Sequence, residues 1–136
     1  MPVESDADLE EILDLETIAV VGCSSTPGKD AHEIPKYLIE QGYDVIPVNP
    51  FADEIFGRTA YDSLADVEEE IDVVDVFRPS EEVPGIVDEA IARGDVLVVW
   101  MQLGIEHDDA AARAEEAGLT VVQDRCLKVE HRRLRG

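Results

Sequence analysis

The chain has few cysteines, few histidines and few aromatic residues, and each shortage excludes a class of protein. Its 136 residues include 2 Cys and 3 His, and 5% are aromatic. Two cysteines outside any Cys-x-x-Cys motif do not form a disulfide framework, and scattered histidines without His-x-x-x-His spacing give no zinc or iron site. The sequence therefore predicts neither a disulfide-rich secreted module nor a metalloprotein.

Long apolar runs are also absent. No run approaches the ~20 residues that a membrane span needs, and the acidic N-terminus lacks the basic and apolar regions of an export signal. The length allows one domain over residues 1–136 and excludes an enzyme with a separate catalytic half. Because 45% of the residues are hydrophobic, the chain can bury a core. We expect a single-domain cytoplasmic protein with no membrane partner.

Basic residues are the third shortage. Lys and Arg total 11 against 32 Asp and Glu, which gives a formal net charge of −21. Such a surface repels itself in dilute buffer, whereas near-molar salt shortens the Debye length to ~3 Å and screens the repulsion. The balance predicts an acidic protein from a salt-rich, halophilic cytoplasm, and an ordinary acidic protein is the alternative. It also argues against a nucleic-acid partner.

What is present is an alternation of apolar strands and amphipathic helices. Helices are predicted within 1–14 and over 32–41, 81–93 and 107–117, and strands over 17–21, 43–48, 71–77, 96–101 and 119–122, with a short edge strand over 55–61. Buried parallel strands need helices on both faces of the sheet. We predict an α/β, Rossmann-like doubly wound, mostly parallel sheet of about five to six strands, followed by a basic C-terminal tail over 123–136.

Four of the predicted strands are followed by small, polar or conformationally special residues. In a doubly wound sheet, ligands bind outside the carboxyl ends of the strands, where the strand order reverses. The loops in question cover residues 22–29, 49–50, 78–80 and 102–104. We therefore expect a binding site on this edge, although turn chemistry alone would also explain these residues.

The 22–29 loop has the composition of a phosphate-binding loop but matches neither named motif. Ser24 and Pro27 stand where the dinucleotide fingerprint needs glycine, and Asp30 follows Lys29 where a Walker A loop needs Ser or Thr. Backbone N–H groups, hydroxyl groups, Lys29 and a following helix N-terminus can nevertheless hold an anion. The loop therefore predicts phosphate binding without naming the nucleotide.

The ends of two other strands narrow the choice of nucleotide. Asn49 stands where an NAD site has the acidic residue that grips the ribose, and a neutral residue tolerates a ribose phosphate. Arg78 is a second candidate cation for phosphates. Its alternative role is a surface ion pair with Glu81 or Glu82.

An ordered set of stretches resembles the small stand-alone CoA-binding domain proteins, single-domain relatives of the CoA-binding domain of the succinyl-CoA synthetase alpha subunit. The stretches are 19–29, 43–50, 57–66, 74–78, 99–104 and 124–131. The resemblance implies a Rossmann-like sheet that binds CoA, or acyl-CoA, across its carboxyl edge. It implies phosphate binding by Gly22, Ser24, Ser25 and Lys29, a nucleotide wall of Asn49, Pro50, Phe77 and Arg78, and a CoA-contacting turn of Gln102, Leu103 and Gly104.

Two thiols add a further hypothesis. Cys126 lies among basic residues that favour the thiolate, and Cys23 lies in the first loop. Either thiol, placed beside bound CoA, could form a mixed disulfide. We find no set of general base, nucleophile and oxyanion donors, so the sequence predicts binding without catalysis of its own.

Three other interpretations stay open at this point. They are an NAD(P)-linked oxidoreductase, a redox-sensing module, and a subunit that presents CoA to an acyl-CoA ligase. A homodimer and a partner enzyme are both compatible with the sequence.

Overall fold

The computed structural model describes residues 2–136. Its helices are α1 (Asp6–Leu13), α2 (Asp30–Glu40), α3 (Val83–Arg93), α4 (Asp108–Glu116) and α5 (Leu127–Arg135). Its strands are β1 (Thr17–Val21), β2 (Asp44–Val48), β3 (Glu54–Ile55), β4 (Arg58–Thr59), β5 (Val73–Val76), β6 (Val98–Met101) and β7 (Thr120–Val122). Short 3-10 turns cover Leu64–Asp66 and Ser80–Glu82.

Five strands form one parallel sheet in the order β2-β1-β5-β6-β7. The chain builds outward from β1 to β2 and then returns to the other side of β1 to form β5. The strand order therefore reverses between β1 and β5, and loops that leave these two strands diverge at the carboxyl edge and open a crevice there. This sheet confirms the predicted α/β Rossmann-like architecture.

Helices cover both faces of the sheet, as predicted. Buried residues of α1, α2 and α5 pack on one face, against Val20 and Trp100 among others. Buried residues of α3 and α4 pack on the other, against Val74 and Val99 among others. Successive residues of a strand point to opposite faces, so each central strand contributes to both cores. None of the helices formed by residues 2–136 is long and apolar enough to cross a membrane.

Two predicted elements differ from the structure. The sixth, edge strand over 55–61 is wrong, because β3 and β4 pair antiparallel with each other, and only a bridge between Tyr61 and Val48 joins this segment to the main sheet. The basic tail over 123–136 is mostly the helix α5. Its Arg133 and Arg135 pair with Asp6 and Asp14 at 2.8 Å, so the basic residues dock α5 on the acidic α1.

Candidate functional site

A cleft of about 650 Å³ opens at the carboxyl ends of β1, β2 and β5, where the strand order reverses. Most of the residues predicted for the site line it: Gly22, Ser24, Lys29, Asn49, Pro50, Phe77 and Arg78. Its volume lies in the range of small-molecule and cofactor sites. The fold therefore gathers three loops that are far apart in sequence into one concave surface, and the binding role of these residues stays a prediction.

The remaining predicted residues lie outside this cleft. Ser25 is exposed on the first loop. Gln102 is buried, and its Oε1 accepts a hydrogen bond from the backbone N–H of Leu127 at 3.1 Å, at the start of α5. The Gly104 N–H donates to the Asp124 carboxylate at 2.7 Å. The 102–104 turn is thus connected to the loop after β7 rather than to the loop of residues 22–29.

The loop after β1 is fixed by hydrogen bonds within it and by others to β2 and α2. The Gly22 N–H donates to the carbonyl of Val48 at 2.9 Å, and the Thr26 N–H donates to Ser24 Oγ at 3.0 Å. Near its end the Gly28 N–H donates to the Glu33 carboxylate of α2 at 3.2 Å. A carboxylate therefore already occupies one of the backbone donors that an anionic ligand would use.

The two cations of the cleft have different surroundings. Arg78 makes a double hydrogen bond to Glu82, with Nε at 3.1 Å and Nη2 at 2.7 Å, so the ion pair considered from the sequence is present. This bond to Arg78 lowers the pKa of Glu82 and raises that of Arg78. Lys29, exposed at the N-terminal cap of α2, forms no ion pair with any residue of the described chain.

Both polar atoms of the Asn49 side chain form hydrogen bonds within the protein. Its Nδ2 donates to the carbonyl of Cys23 at 2.9 Å, and its Oδ1 accepts the N–H of Phe51 at 2.8 Å. The side chain thus joins the loop after β2 to the loop after β1. The nucleotide-wall role assigned to Asn49 from the sequence stays a prediction, and its hydrogen bonds show that it connects the two loops.

The two thiols differ in their exposure to solvent. Cys23 is fully buried, and burial, followed by the nearby Asp75 carboxylate, raises its pKa to about 12. Such a thiol is a poor nucleophile at neutral pH. Cys126 is partly exposed at the N-terminal cap of α5, so it is the accessible thiol of the two.

Cys126 lies in a second cleft of about 660 Å³, between the N-terminal segment, the turn after β6 and the start of α5. Leu103, one of the predicted site residues, lines this cleft and is 70% exposed. Arg125 is held by Glu130 at 2.6 Å beside it. No cluster of three or more His, Cys, Asp or Glu that could hold a metal occurs among residues 2–136.

Sequence reasoning missed two residues of interest. Phe51 lines the first cleft and is 95% exposed, and its only signal was an aromatic residue directly after Asn49-Pro50. Asp75 is fully buried in β5, and neither of its carboxylate oxygens has a hydrogen-bond partner in the described chain. Burial raises the pKa of Asp75 well above its ordinary value. The sequence feature that could have pointed to Asp75 was a single acidic residue inside an otherwise apolar strand.

Comparisons with known proteins identify the family of this chain. A protein-family model described as "CoA binding domain" matches residues 16–132. The uncharacterized protein YneT of Bacillus subtilis is 41% identical over 128 residues, 93% of this chain and 94% of its own. A solved hypothetical protein from Pyrococcus horikoshii superposes with a TM-score of 0.94 at 41% identity, covering 100% of this chain and 97% of that one.

A larger enzyme contains a similar segment. The ADP-forming acetate–CoA ligase of Methanocaldococcus jannaschii is 36% identical over 89 residues, which are 65% of this chain and 13% of the ligase. The similarity thus extends from proteins of about this size to one region of an acyl-CoA ligase. The match over residues 16–132 includes the whole sheet and all three loops of the first cleft, and the chain belongs to the CoA binding domain family.

Proposed function

We propose that the protein binds coenzyme A, or an acyl-CoA, in the cleft between the loops after β1, β2 and β5. The observation that carries this proposal is that Lys29 and Arg78 face one cleft from the two sides of the strand-order reversal. The pyrophosphate would lie on the 22–29 loop, and the adenine and ribose phosphate near Asn49 and Phe77. Family membership supports the same ligand.

The charge distribution gives the cleft two cations that phosphates could use. On a chain with a net charge of −21, Lys29 and Arg78 line one crevice together with Asp62, Glu82 and Glu89. Because Glu82 pairs with Arg78, Lys29 is the cation that can meet a phosphate directly, and Arg78 can do so by exchanging Glu82 for it. Arg78 presents a planar fork that suits phosphate oxygens, and Lys29 presents a mobile point charge. An NAD(P)-linked role is less well supported, because Asn49 replaces the ribose-gripping carboxylate and its amide is engaged within the protein.

The pantetheine arm of CoA would run from the first cleft toward the second cleft. β5, β6 and β7 are neighbours in the sheet, so the end of β7 lies roughly 10 Å from the end of β5 at the usual strand spacing. An extended pantetheine arm is long enough to cross that distance. Its thiol would then lie near Leu103 and Cys126, with the Gln102 to Gly104 turn beneath it.

The proposal assigns binding and no catalysis to this chain. The region of the acetate–CoA ligase that matches it is a small part of that enzyme, which favours one further role: presentation of CoA to a partner enzyme that performs the ligation. We further propose that the protein works in a salt-rich cytoplasm, where its 32 acidic residues are screened. Complex formation with a ligase subunit would test the partner role.

Competitive binding tests the ligand. Native mass spectrometry with CoA, acetyl-CoA and NAD should show a CoA or acetyl-CoA adduct, weakened by Lys29→Ala and by Arg78→Ala. The matched control is Lys36→Ala, an exposed lysine farther along α2 and outside the cleft lining. Binding of NAD without binding of CoA would overturn the proposal and favour the oxidoreductase alternative.

A further inference from the structure

Phe51 is a large apolar side chain held in water at the rim of the first cleft. It is 95% exposed, more than any other large hydrophobic residue of the described chain. Large aromatic side chains normally bury most of their surface. Phe51 also lines the first cleft, so its exposed ring is available to a molecule bound there.

Hydrogen bonds to two neighbouring segments fix the turn that carries Phe51. The Phe51 N–H donates to Asn49 Oδ1, and the same amide donates through Nδ2 to the carbonyl of Cys23. The backbone N–H of Asn49 donates to the carbonyl of Tyr61 at 2.8 Å, and Pro50 limits the backbone between them. The turn is thus braced on two neighbouring segments, and Phe51 is presented from a fixed base.

The surroundings of Phe51 match one class of ligand. Lys29 and Arg78 line the same cleft, so one molecule could contact the aromatic face and Lys29, and could also reach Arg78 by competing with Glu82. A purine nucleotide offers both complements, since its base stacks on an aromatic ring and its phosphates pair with cations. An apolar partner surface would offer nothing to Lys29, which forms no ion pair within the described chain.

We propose that Phe51 is the stacking platform for the adenine ring of CoA, and that Asn49 is the positioning residue that presents it. This inference rests on the proposed function and adds the residue that would select the nucleotide half of the ligand. Asn49 acts through its two hydrogen bonds to the loops and not through direct contact with the base.

Calorimetric titration with CoA and with two overlapping fragments of it, its nucleotide half 3′-phospho-ADP and its other half 4′-phosphopantetheine, which share one phosphate, tests the assignment. Phe51→Ala should weaken binding of CoA and 3′-phospho-ADP by about 5- to 150-fold, the usual effect of losing one base stack. Binding of 4′-phosphopantetheine should not change. Phe51→Trp should retain nucleotide binding, and Leu97→Ala, which removes a half-exposed leucine on the opposite edge of the sheet, should have no effect.

Asn49→Ala should weaken binding of the nucleotide half alone. It should cause little further loss in a protein that already carries Phe51→Ala, because both changes remove the same stack. A merely structural role for Asn49 would weaken both halves and would add to the effect of Phe51→Ala.

The outcomes separate the two proposals. If Phe51→Ala binds CoA as the parent protein does, the stacking role is overturned while CoA binding stands. If that variant keeps its CoA affinity but changes its size in solution, Phe51 belongs to a protein contact and the stacking role is likewise overturned. If the parent protein does not bind CoA, both proposals fail.

Discussion

The aliphatic stem of Arg78 lies directly against Gly22, across the point where the strand order reverses. A Cβ atom on Gly22 would stand 2.9 Å from Arg78 Cδ and 3.2 Å from the carbonyl oxygen of Phe77. Gly22 also has a φ of +91°, which side chains rarely adopt. The absence of a side chain at this position thus sets the place of the cleft's arginine.

Gly22→Ala should therefore lower both stability and CoA affinity. The left-handed backbone alone costs roughly 1–2 kcal/mol, and the contact with Arg78 adds to it. Gly42→Ala is the matched control, since Gly42 has a φ of +98° with nothing within 4 Å of a Cβ and lies at the end of α2. Urea unfolding should show a loss in both variants, with the larger loss in Gly22→Ala. Equal CoA affinity in the two variants would contradict the role given to Gly22.

Glu82→Gln should strengthen CoA binding. Glu82 holds the Arg78 guanidinium by two hydrogen bonds, so a phosphate must compete with it. Exposed ion pairs of this kind contribute about 0.2–1 kcal/mol, and their loss should raise affinity by about 1.4- to fivefold. Glu81→Gln, which removes the same charge one residue earlier, should change affinity less. The two dissociation constants should be measured at one ionic strength, and equal gains would indicate a general charge effect.

Asp75→Val should stabilise the protein at neutral pH. The buried carboxyl of Asp75 has no hydrogen-bond partner among residues 2–136, and burying such a group costs about 1–3 kcal/mol. Because its folded pKa is raised well above its ordinary value, the folded state keeps a proton that the unfolded state releases above about pH 4. Its contribution to stability therefore falls as pH rises from about 4 through the folded pKa.

The gain from Asp75→Val should accordingly be largest at neutral pH and shrink toward pH 4. Urea denaturation across this range measures it. Asp72→Asn is the opposite control, because the Asp72 carboxylate accepts the N–H groups of Glu16 and Thr17 at 3.1 Å. That variant should be less stable than the parent protein. A less stable Asp75→Val would show that the carboxyl has a stabilising partner.

Cys126, and not Cys23, should exchange with the disulfide of CoA. The Cys126 thiolate would attack one sulfur of that disulfide, form a mixed disulfide and release the other CoA as its thiolate. Cys23 is buried with its pKa raised to about 12, so it should not react in the folded protein. Mass spectrometry should find an adduct that reductant removes, absent in Cys126→Ser and present in Cys23→Ser. An adduct that persists in Cys126→Ser would reverse the assignment.

Near-molar KCl should raise the free energy of unfolding. Screening relieves the mutual repulsion of a chain with net charge −21, and it also weakens exposed ion pairs such as Arg133 with Asp6. The repulsion involves the whole surface and the ion pairs only a few residues, so the relief should prevail. Urea unfolding at increasing KCl measures the balance. A decrease in stability would argue against the salt-rich setting.

The sheet and its helices were predictable because their signals are local. Apolar β-branched runs such as 17–21 predict buried strands, and helical spacing of apolar residues predicts the covering layers. The gathering of the loops after β1, β2 and β5 followed from the rule that ligands bind at carboxyl edges. The C-terminal helix was not predicted, because its docking depends on partners in α1 more than a hundred residues away.

The details of the site depended on contacts between distant segments. No local sequence pattern indicated that Gln102 accepts a hydrogen bond from Leu127 or that Glu33 accepts one from the Gly28 N–H. Nor did any pattern indicate that the Asn49 amide bonds to two loops. Residue type predicted which positions can hold an anion. Tertiary geometry decided which of those groups are already engaged.

The single tryptophan gives the protein its own optical reporter. Trp100 is fully buried in β6, and its Nε1–H donates to the carbonyl of Arg125 at 2.8 Å, in the loop that leads to Cys126. Its emission should be blue-shifted in the native protein and should respond when this loop moves. Fluorescence at a single wavelength would therefore follow events in the second cleft, without a label and without interference from another indole.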